Sequence, residues 1–420
     1  MRSNNLSNKV MIGSLMDLSL ILFFCSAPVI LACQKIMGII GLSKFGYYLG
    51  IVLIYLPLLL SFIKSPKRIP LDFVLLLVLM VFYFLVTLLF HPEYDFFYRR
   101  NYYGVWDYVL RPDNGVYAYL FLRTQKDPKH LIKLFRYCAY IMLIYSLYRL
   151  VGALSKGYWV ISTNADGSEH RMSYNLGFGY DTLLFTLFAL FAALKEGKKI
   201  DWGFGLGGVL IILLGGSRGP ILDLGIFFFI YMLISFQHSK KKVRSVFLIV
   251  TITILLVLSY QWLLLQLGAV MNKIGISSRF IRKLLEGSIA SDSGRNIIWS
   301  AAIEMIKAHP LGYGAMGTRH VIYYIIDVGH PHNIFLELLV DTGVIIGSII
   351  IITMIVRSVQ IFRMSNNTEW VGIYLIFFSA SCQLLVSGTL WHRLAIWAAA
   401  GISINIAREQ RAKRRLIYGK

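Results

Sequence analysis

Three short stretches of this sequence combine residue types that can handle anions and protons. The first is Ser217-Arg218-Gly219-Pro220, set between two apolar runs. A guanidinium beside a helix N-terminus is a good anion site, because its planar fork and the helix dipole act together. Pro220 fits the first turn of the following helix, and Gly215, Gly216 and Gly219 allow close backbone approach. The alternative is an arginine at a membrane boundary that reaches up to lipid headgroups. The second stretch, SGRNIIWSAAIEMIKAHPLGYGAMG over 293–317, carries Arg295. A cation is disfavoured in the first turn of a helix, and an anionic ligand would remove that conflict. The third is Gly329-His330-Pro331-His332-Asn333, ahead of IFLELLVDTGVIIG. His332 opens a helix at the water boundary, where imidazole can exchange a proton near neutral pH. Glu337 and Asp341 follow on that helix, placed to orient His332 or to bind a substrate. A cap or surface role is the alternative for the histidine.

Metal chemistry has weaker support. The His-Pro-His doublet lacks a third ligand at zinc-like spacing. Glu93 and Asp95, in HPEYDFFYRR, resemble an acidic pair that could hold a metal, but two acids two residues apart are common by chance. The tyrosines and Trp106 around them suit an interfacial aromatic belt or stacking on sugar rings. Cys25, Cys33, Cys138 and Cys382 are scattered through apolar runs and read as small packing residues. Cys25 and Cys33 are expected to share one helix. No metal and no cofactor is expected.

These groups must be held by elements that suit a hydrocarbon solvent. Of 420 residues, 57% are hydrophobic and only 15% charged, against about a quarter charged in soluble domains. That excludes a soluble secreted enzyme, a disordered chain and a disulfide scaffold. The 42 Lys and Arg outnumber 21 Asp and Glu, which invites a nucleic-acid partner. Runs such as 71–90 and 245–266 argue against one, because they are long enough to cross a bilayer. Spans are expected near 10–32, 46–63, 69–90, 131–153, 174–194, 245–266, 334–357, 370–388 and 391–406, with two more within 201–236. Residues 104–124 form a doubtful span, interrupted by Asp107, Arg111, Pro112 and Asp113.

Charge placement decides that span. With the N-terminus inside and twelve spans, the inner segments hold 25 of the 42 Lys and Arg, dense in KSPKR, KEGKK and HSKKKVR. Without 104–124, the basic segment 123–136 would fall outside. The span is kept as a broken or partly re-entrant helix, tolerated where backbone is buried in protein or lines a cavity. The expected fold is all-α, a polytopic membrane protein of about twelve transmembrane helices. Residues 1–420 then form a single integral membrane domain with a large extracytoplasmic loop at 267–333. That loop carries seven basic residues against four acidic ones, a basic surface on the side where topology does not require it. Within it, Ile297, Ile298, Ala301, Ala302, Met305 and Ile306 recur as in an amphipathic helix, capped by Ser293 and ended by Pro310. A helix lying on the membrane surface is the plain alternative.

The order and spacing of SRGP, SGRNIIW with HPLGYGAMG, and HPHNIFLELLVDTGVIIG resemble the O-antigen ligase and O-antigen polymerase superfamily of bacterial envelope proteins. The resemblance is strongest over about 200–350. It implies a metal-independent, inverting glycosyltransferase in the cytoplasmic membrane, with both termini cytoplasmic and the active site facing outward. The donor would be an undecaprenyl-diphosphate-linked oligosaccharide and the acceptor a glycan or glycolipid hydroxyl. By position, Arg218 and Arg295 would hold the diphosphate and His332 would take the acceptor's proton. Arg279, Arg282, Arg319, Arg393 and Glu337 would assist in substrate binding. Polymerisation of O-antigen or capsule repeats is favoured over ligation to lipid A-core. The partners are then the lipid bilayer and the two glycans, with a chain-length regulator as a further one and no nucleic acid. A transporter or flippase is the more distant reading, suggested by Asp17, Asp72, Asp181 and Asp223 within or near spans.

Overall fold

The computed structural model describes residues 14–66, 69–99, 104–163, 169–172, 175–215, 217, 219–238, 265–266, 269, 294–325, 330–364 and 368–418. The first apolar run is not one straight helix. It divides into α1 (Leu15–Phe24) and α2 (Ser26–Ile39), which meet at 85° around Cys25. Pro28 explains the break: it has no N–H for the Phe24 carbonyl and its ring crowds that carbonyl. Cys25 therefore sits at the corner and Cys33 inside α2, which corrects the expectation that they share a helix.

Two long apolar helices follow, α3 (Phe45–Lys64) and α4 (Leu71–Phe90), then the short α5 (Asp95–Arg99). The doubtful span is an irregular turn at Trp106–Leu110 followed by α6 (Tyr117–Arg123). Next come α7 (Pro128–Lys156) and an antiparallel hairpin of β1 (Trp159–Thr163) and β2 (Glu169–Met172), which the helical reading of the sequence omitted. Helices α8 (Leu176–Glu196), α9 (Lys199–Leu214) and α10 (Gly219–His238) follow. The expected span 245–266 lies largely outside the described residues. Beyond it are α11 (Arg295–Ala308), α12 (Gly317–Ile325), α13 (Ile334–Phe362), α14 (Thr368–Ser381) and α15 (Leu394–Tyr418). Among the described residues six helices are long and apolar enough to cross a bilayer, or seven when the bent α1–α2 pair counts as one. This is a multi-pass membrane protein.

Its centre is α8, buried along most of its length. Small residues make that possible: Thr182, Thr186, Ala189, Ala192 and Ala193 are all fully buried and let neighbouring backbones come close. Phe188 stacks on Phe135 of α7 with ring centroids 4.2 Å apart. The outer helices do the opposite. On α4, Leu75, Val78, Leu79, Phe82 and Leu85 form a stripe exposed to the surroundings, which only lipid can cover at low cost.

The irregular segment 104–123 runs between the two ends of the bundle. At one end a β-carbon on Gly115 would lie 2.6 Å from the His392 carbonyl. At the other, buried Arg123 donates to Asp72 at 2.7 Å and to Asn405 at 2.6 Å. Asn405 in turn donates to the Leu122 and Gln125 carbonyls, capping the free end of α6. The segment is interrupted as expected, and carbonyls at the end of α6 are satisfied by a buried side chain.

The most consequential irregularity lies in α13. Gly343 takes φ 81° and ψ 167°, a conformation essentially reserved for glycine, and kinks the helix. Val344 N–H, unable to reach its own turn, donates to the Pro310 carbonyl at 2.8 Å. The Val340 and Asp341 carbonyls released by the kink accept from Tyr313 and Gly314 N–H at 2.8 and 2.9 Å. The HPLGYG segment is thus paired to α13 through three backbone hydrogen bonds. Gly312, at φ 95°, leaves room for Gly343 itself: a β-carbon there would fall 2.5 Å from Gly343 N. Gly343→Ala should cost about 2 kcal/mol or more, by strain and by collision with Leu311. Thermal unfolding in nanodiscs checks this, with Gly207→Ala as control, since open space surrounds Gly207 and its substitution should be neutral or mildly stabilising.

Candidate functional site

His332 stands where α13 begins. The Asn333 side chain caps that helix, accepting from Phe335 and Leu336 N–H at 3.0 and 3.3 Å. Just before the cap, the His332 backbone turns into the left-handed region at φ 52°, an uncommon conformation for a side-chain-bearing residue. Trp299 of α11 donates from Nε1 to the Pro331 carbonyl at 3.0 Å and ties the histidine loop to the helix that bears Arg295. The buried face of α11 comprises Ile298, Ala302 and Met305, packed with Ile322 and Val340. Ile297 stays exposed, so the apolar face is narrower than the periodicity implied. Arg295 is the first residue of α11, and Gly294, at φ 79°, holds the N-cap position. Ser293, the cap expected from sequence, lies outside the described residues.

His332 Nδ1 accepts from Gly388 N–H at 3.3 Å. A neutral imidazole holding that contact carries its proton on Nε2. Burial disfavours the imidazolium, and the positive charge of Arg295 disfavours it further, so the His332 pKa falls to about 4.

The segment that presents Gly388 is held from below by Glu337. Its carboxylate, almost wholly buried, accepts from the Thr389 hydroxyl and from Leu390 N–H at 3.1 Å. Glu337 thus ties this segment to α13, each of its carboxyl oxygens accepting one hydrogen bond. Asp341, one turn deeper, accepts from Thr318 N–H at 3.3 Å. Arg319, in the first turn of α12, donates to the Tyr108 hydroxyl and lies over that ring at 5.0 Å. Its charge reaches both Glu337 and His392. His392 packs against the Tyr108 ring, and its pKa falls to about 3 through burial and then the positive charges of Arg319, Arg111 and Arg393.

Arg393 closes the loop. The Gln383 amide oxygen, in the orientation that satisfies both amide atoms, accepts from its Nη2 at 2.8 Å. Asp181 of α8 lies 4.0 Å from Arg393 and 3.7 Å from Arg149, and is half-exposed between the two guanidinium groups. The Arg149 guanidinium also rests on the Phe178 ring at 5.3 Å. The SRGP turn meets the same corner of α8. A β-carbon on Gly179 would lie 2.9 Å from both Ser217 Cβ and Pro220 Cγ.

The structure thus brings Arg295, Arg319, His332, Glu337 and Arg393 to one end of the bundle, where α8, α10, α13 and α15 begin. Arg218, Arg279 and Arg282 lie outside the described residues; Ser217 and Gly219, the chain neighbours of Arg218, stand at this end. Sequence reading missed Arg149, Gln383, Thr389 and His392, and singled out Asp181 only as a sign of transport. Only His392-Arg393, a basic pair opening a helix, carried a local signal. Part of the aromatic stretch is occupied in packing: Tyr94 and Phe97 are buried around His320, and Tyr98 donates to the Ala315 carbonyl at 2.6 Å, while Phe96 and Trp106 stay exposed. Glu93 pairs with His91 at 3.0 Å and Asp95 with Arg99 at 2.8 Å, each locally and apart from the other. Among the described residues no three His, Cys, Asp or Glu side chains converge as metal ligands would.

The His332 environment has a measurable consequence. NMR titration of its imidazole should give a midpoint near pH 4, and Arg295→Gln should raise the midpoint while leaving it below 6.5, because burial, the larger cause, remains. Because the folded pKa is depressed, the stability that the neutral ring contributes is complete above about 6.5 and is lost as pH falls towards 4. An unchanged midpoint in Arg295→Gln would show that the two groups do not interact.

No curated protein and no solved structure matches this chain. Residues 203–352 match a family model described as O-antigen ligase. That segment holds the SRGP turn, Arg295 and its helix, the HPLGYG segment, His332 and the kink in α13. Over that segment the chain is similar to the O-antigen ligase family.

Proposed function

We propose that this protein transfers a glycan from an undecaprenyl-diphosphate donor to a sugar hydroxyl at the outer face of the bacterial cytoplasmic membrane. It does so with inversion and without a metal. The carrying observation is the convergence of Arg295 and Arg393 on the end of the bundle where His332 sits against the Gly388 segment. The loop 267–333 is read as extracytoplasmic, with both termini on the opposite side.

In the transfer, the bond from the anomeric carbon to the diphosphate oxygen breaks and a bond to the acceptor oxygen forms on the opposite face. The electron pair leaves with the diphosphate, and its growing charge is taken up by Arg218 and Arg295, which hold it as a metal would in other enzymes. Arg393 and Arg319 add positive potential from the loop and from α12, and Arg279 and Arg282 from the outer loop. His332 takes the acceptor's proton. With Nδ1 held by Gly388 N–H, its Nε2 carries the proton and its basicity is low, so the base function needs two changes. The Gly388 contact must release Nδ1 so that the tautomer can exchange, and the diphosphate must neutralise Arg295. The donor's arrival thereby raises the basicity of the group that acts on the acceptor. Glu337 works through Thr389 and Leu390 as a positioning residue.

Polymerisation of O-antigen or capsule repeats is the preferred reading. Ligation to lipid A-core has its own support in the description of the matched family, O-antigen ligase. Transport is less favoured, because two of the four acids that suggested it pair with arginines and a third meets a histidine. Asp17 pairs with His130 at 3.1 Å, Asp72 with Arg123, and Asp181 with Arg149 and Arg393.

Two experiments test this. In nanodiscs with a lipid-linked donor, Arg218→Ala, Arg295→Ala and His332→Ala should each lose on the order of 100-fold or more in rate, a loss typical of removing an acid–base or charge-stabilising group. Activity should survive EDTA and Glu93→Ala. Full activity in a well-expressed His332→Ala variant would end the proposed mechanism. In a deletion strain, lipopolysaccharide capped with single repeats identifies a polymerase; long chains accumulating on the lipid carrier identify a ligase.

A further inference from the structure

The SRGP turn contains a close approach that its own residues do not explain. A β-carbon on Gly219 would fall 2.5 Å from Tyr180 Cζ, and nearer still to the phenol oxygen. Glycine at 219 is therefore what allows the Tyr180 hydroxyl to lie against the backbone of this turn, one residue from Arg218. The matching glycine at 179 lets Ser217 and Pro220 press on α8, so the two turns interlock and fix where the phenol ends.

The charges that act on that hydroxyl are those of Asp223, Arg393 and Arg295. Asp223 lies one turn beyond Gly219 on the same face of α10 and is 1% exposed. Neither of its carboxyl oxygens has a hydrogen-bond partner among the described residues. The phenol proton is therefore not spent on that acid. The two guanidinium groups accept no hydrogen bond at all. A half-buried phenol next to two cations, with its proton uncommitted to the nearest carboxyl, belongs to a donor set that converges on an anion.

We infer that Tyr180 is a substrate-contacting residue: its hydroxyl donates a hydrogen bond to the diphosphate of the lipid-linked donor beside Arg295 and Arg393. The inference rests on the donor reading above and adds a neutral donor to it. A neutral donor suits this position because it strengthens as charge builds on the leaving oxygen without adding cationic charge around His332.

The test measures binding of undecaprenyl diphosphate to the full chain in nanodiscs, comparing wild type, Tyr180→Phe, Gly219→Ala and Arg295→Ala. Phenylalanine keeps the ring and removes only the hydroxyl, so thermal unfolding should be nearly unchanged. Binding should weaken about five- to tenfold, as for loss of one hydrogen bond to a charged group. Gly219→Ala should weaken it as well by displacing the phenol. Unchanged affinity in Tyr180→Phe, with affinity lost in Arg295→Ala, would overturn the Tyr180 contact and leave the donor reading standing. Unchanged affinity in both would overturn both. Loss in Tyr180→Phe with none in Arg295→Ala would keep the phenol contact and remove Arg295 from the site.

Discussion

The arrangement depends on an exchange of backbone hydrogen bonds at one glycine. Where Gly343 turns out of helical conformation, α13 cannot satisfy the Val340 and Asp341 carbonyls or the Val344 N–H from its own turn. The HPLGYG segment supplies partners for all three. In a membrane protein, unpaired backbone groups cannot turn to water, so the two segments must stay together or both must rearrange. That constraint fixes the distance between the helix carrying Arg295 and the helix that begins behind His332. Tyr83 strengthens the junction by donating to the same Asp341 carbonyl at 2.6 Å.

The other organising theme is the separation of charge. At one end of the bundle, acids are matched to cations in close pairs: Asp72 with Arg123, Glu196 and Asp201 with Arg136. Where α8 and α13 begin, the charges are arranged differently. Arg149 and Arg393 share the half-exposed Asp181, and Arg295 and Arg319 lower the basicity of the two histidines. A multivalent anion bound there would gain charge-assisted hydrogen bonds from these guanidinium groups.

Much of this was legible along the chain because its signals are local. The apolar runs, the caps at Asp127, Asn175 and Asn333, and the glycines after α7 and α8 mark helix ends by chemistry confined to a few residues. The broken character of 104–124 could also be read from its charges. Pro28 signalled the corner between α1 and α2, but a run of apolar residues on both sides masked it. The hairpin after α7 was missed because short strands next to long spans leave little periodicity. The partners of the site were mostly illegible. Asp181 meets Arg393, and Glu337 meets Thr389, across chain distances that only the tertiary fold closes. Glu337 looked like a ligand-binding acid from its place on the helix, and only its two hydrogen bonds reveal that it supports a loop.

On the proposed reading, a lipid-linked diphosphate lies at the end of the bundle between α8, α10, α11 and α13. A structure of the protein in nanodiscs with an undecaprenyl-diphosphate-linked glycan bound tests this at once. The diphosphate is expected within hydrogen-bonding distance of Arg295, with the anomeric carbon turned towards His332. A diphosphate lodged at the opposite end, among Arg123, Arg136 and Arg408, would contradict it.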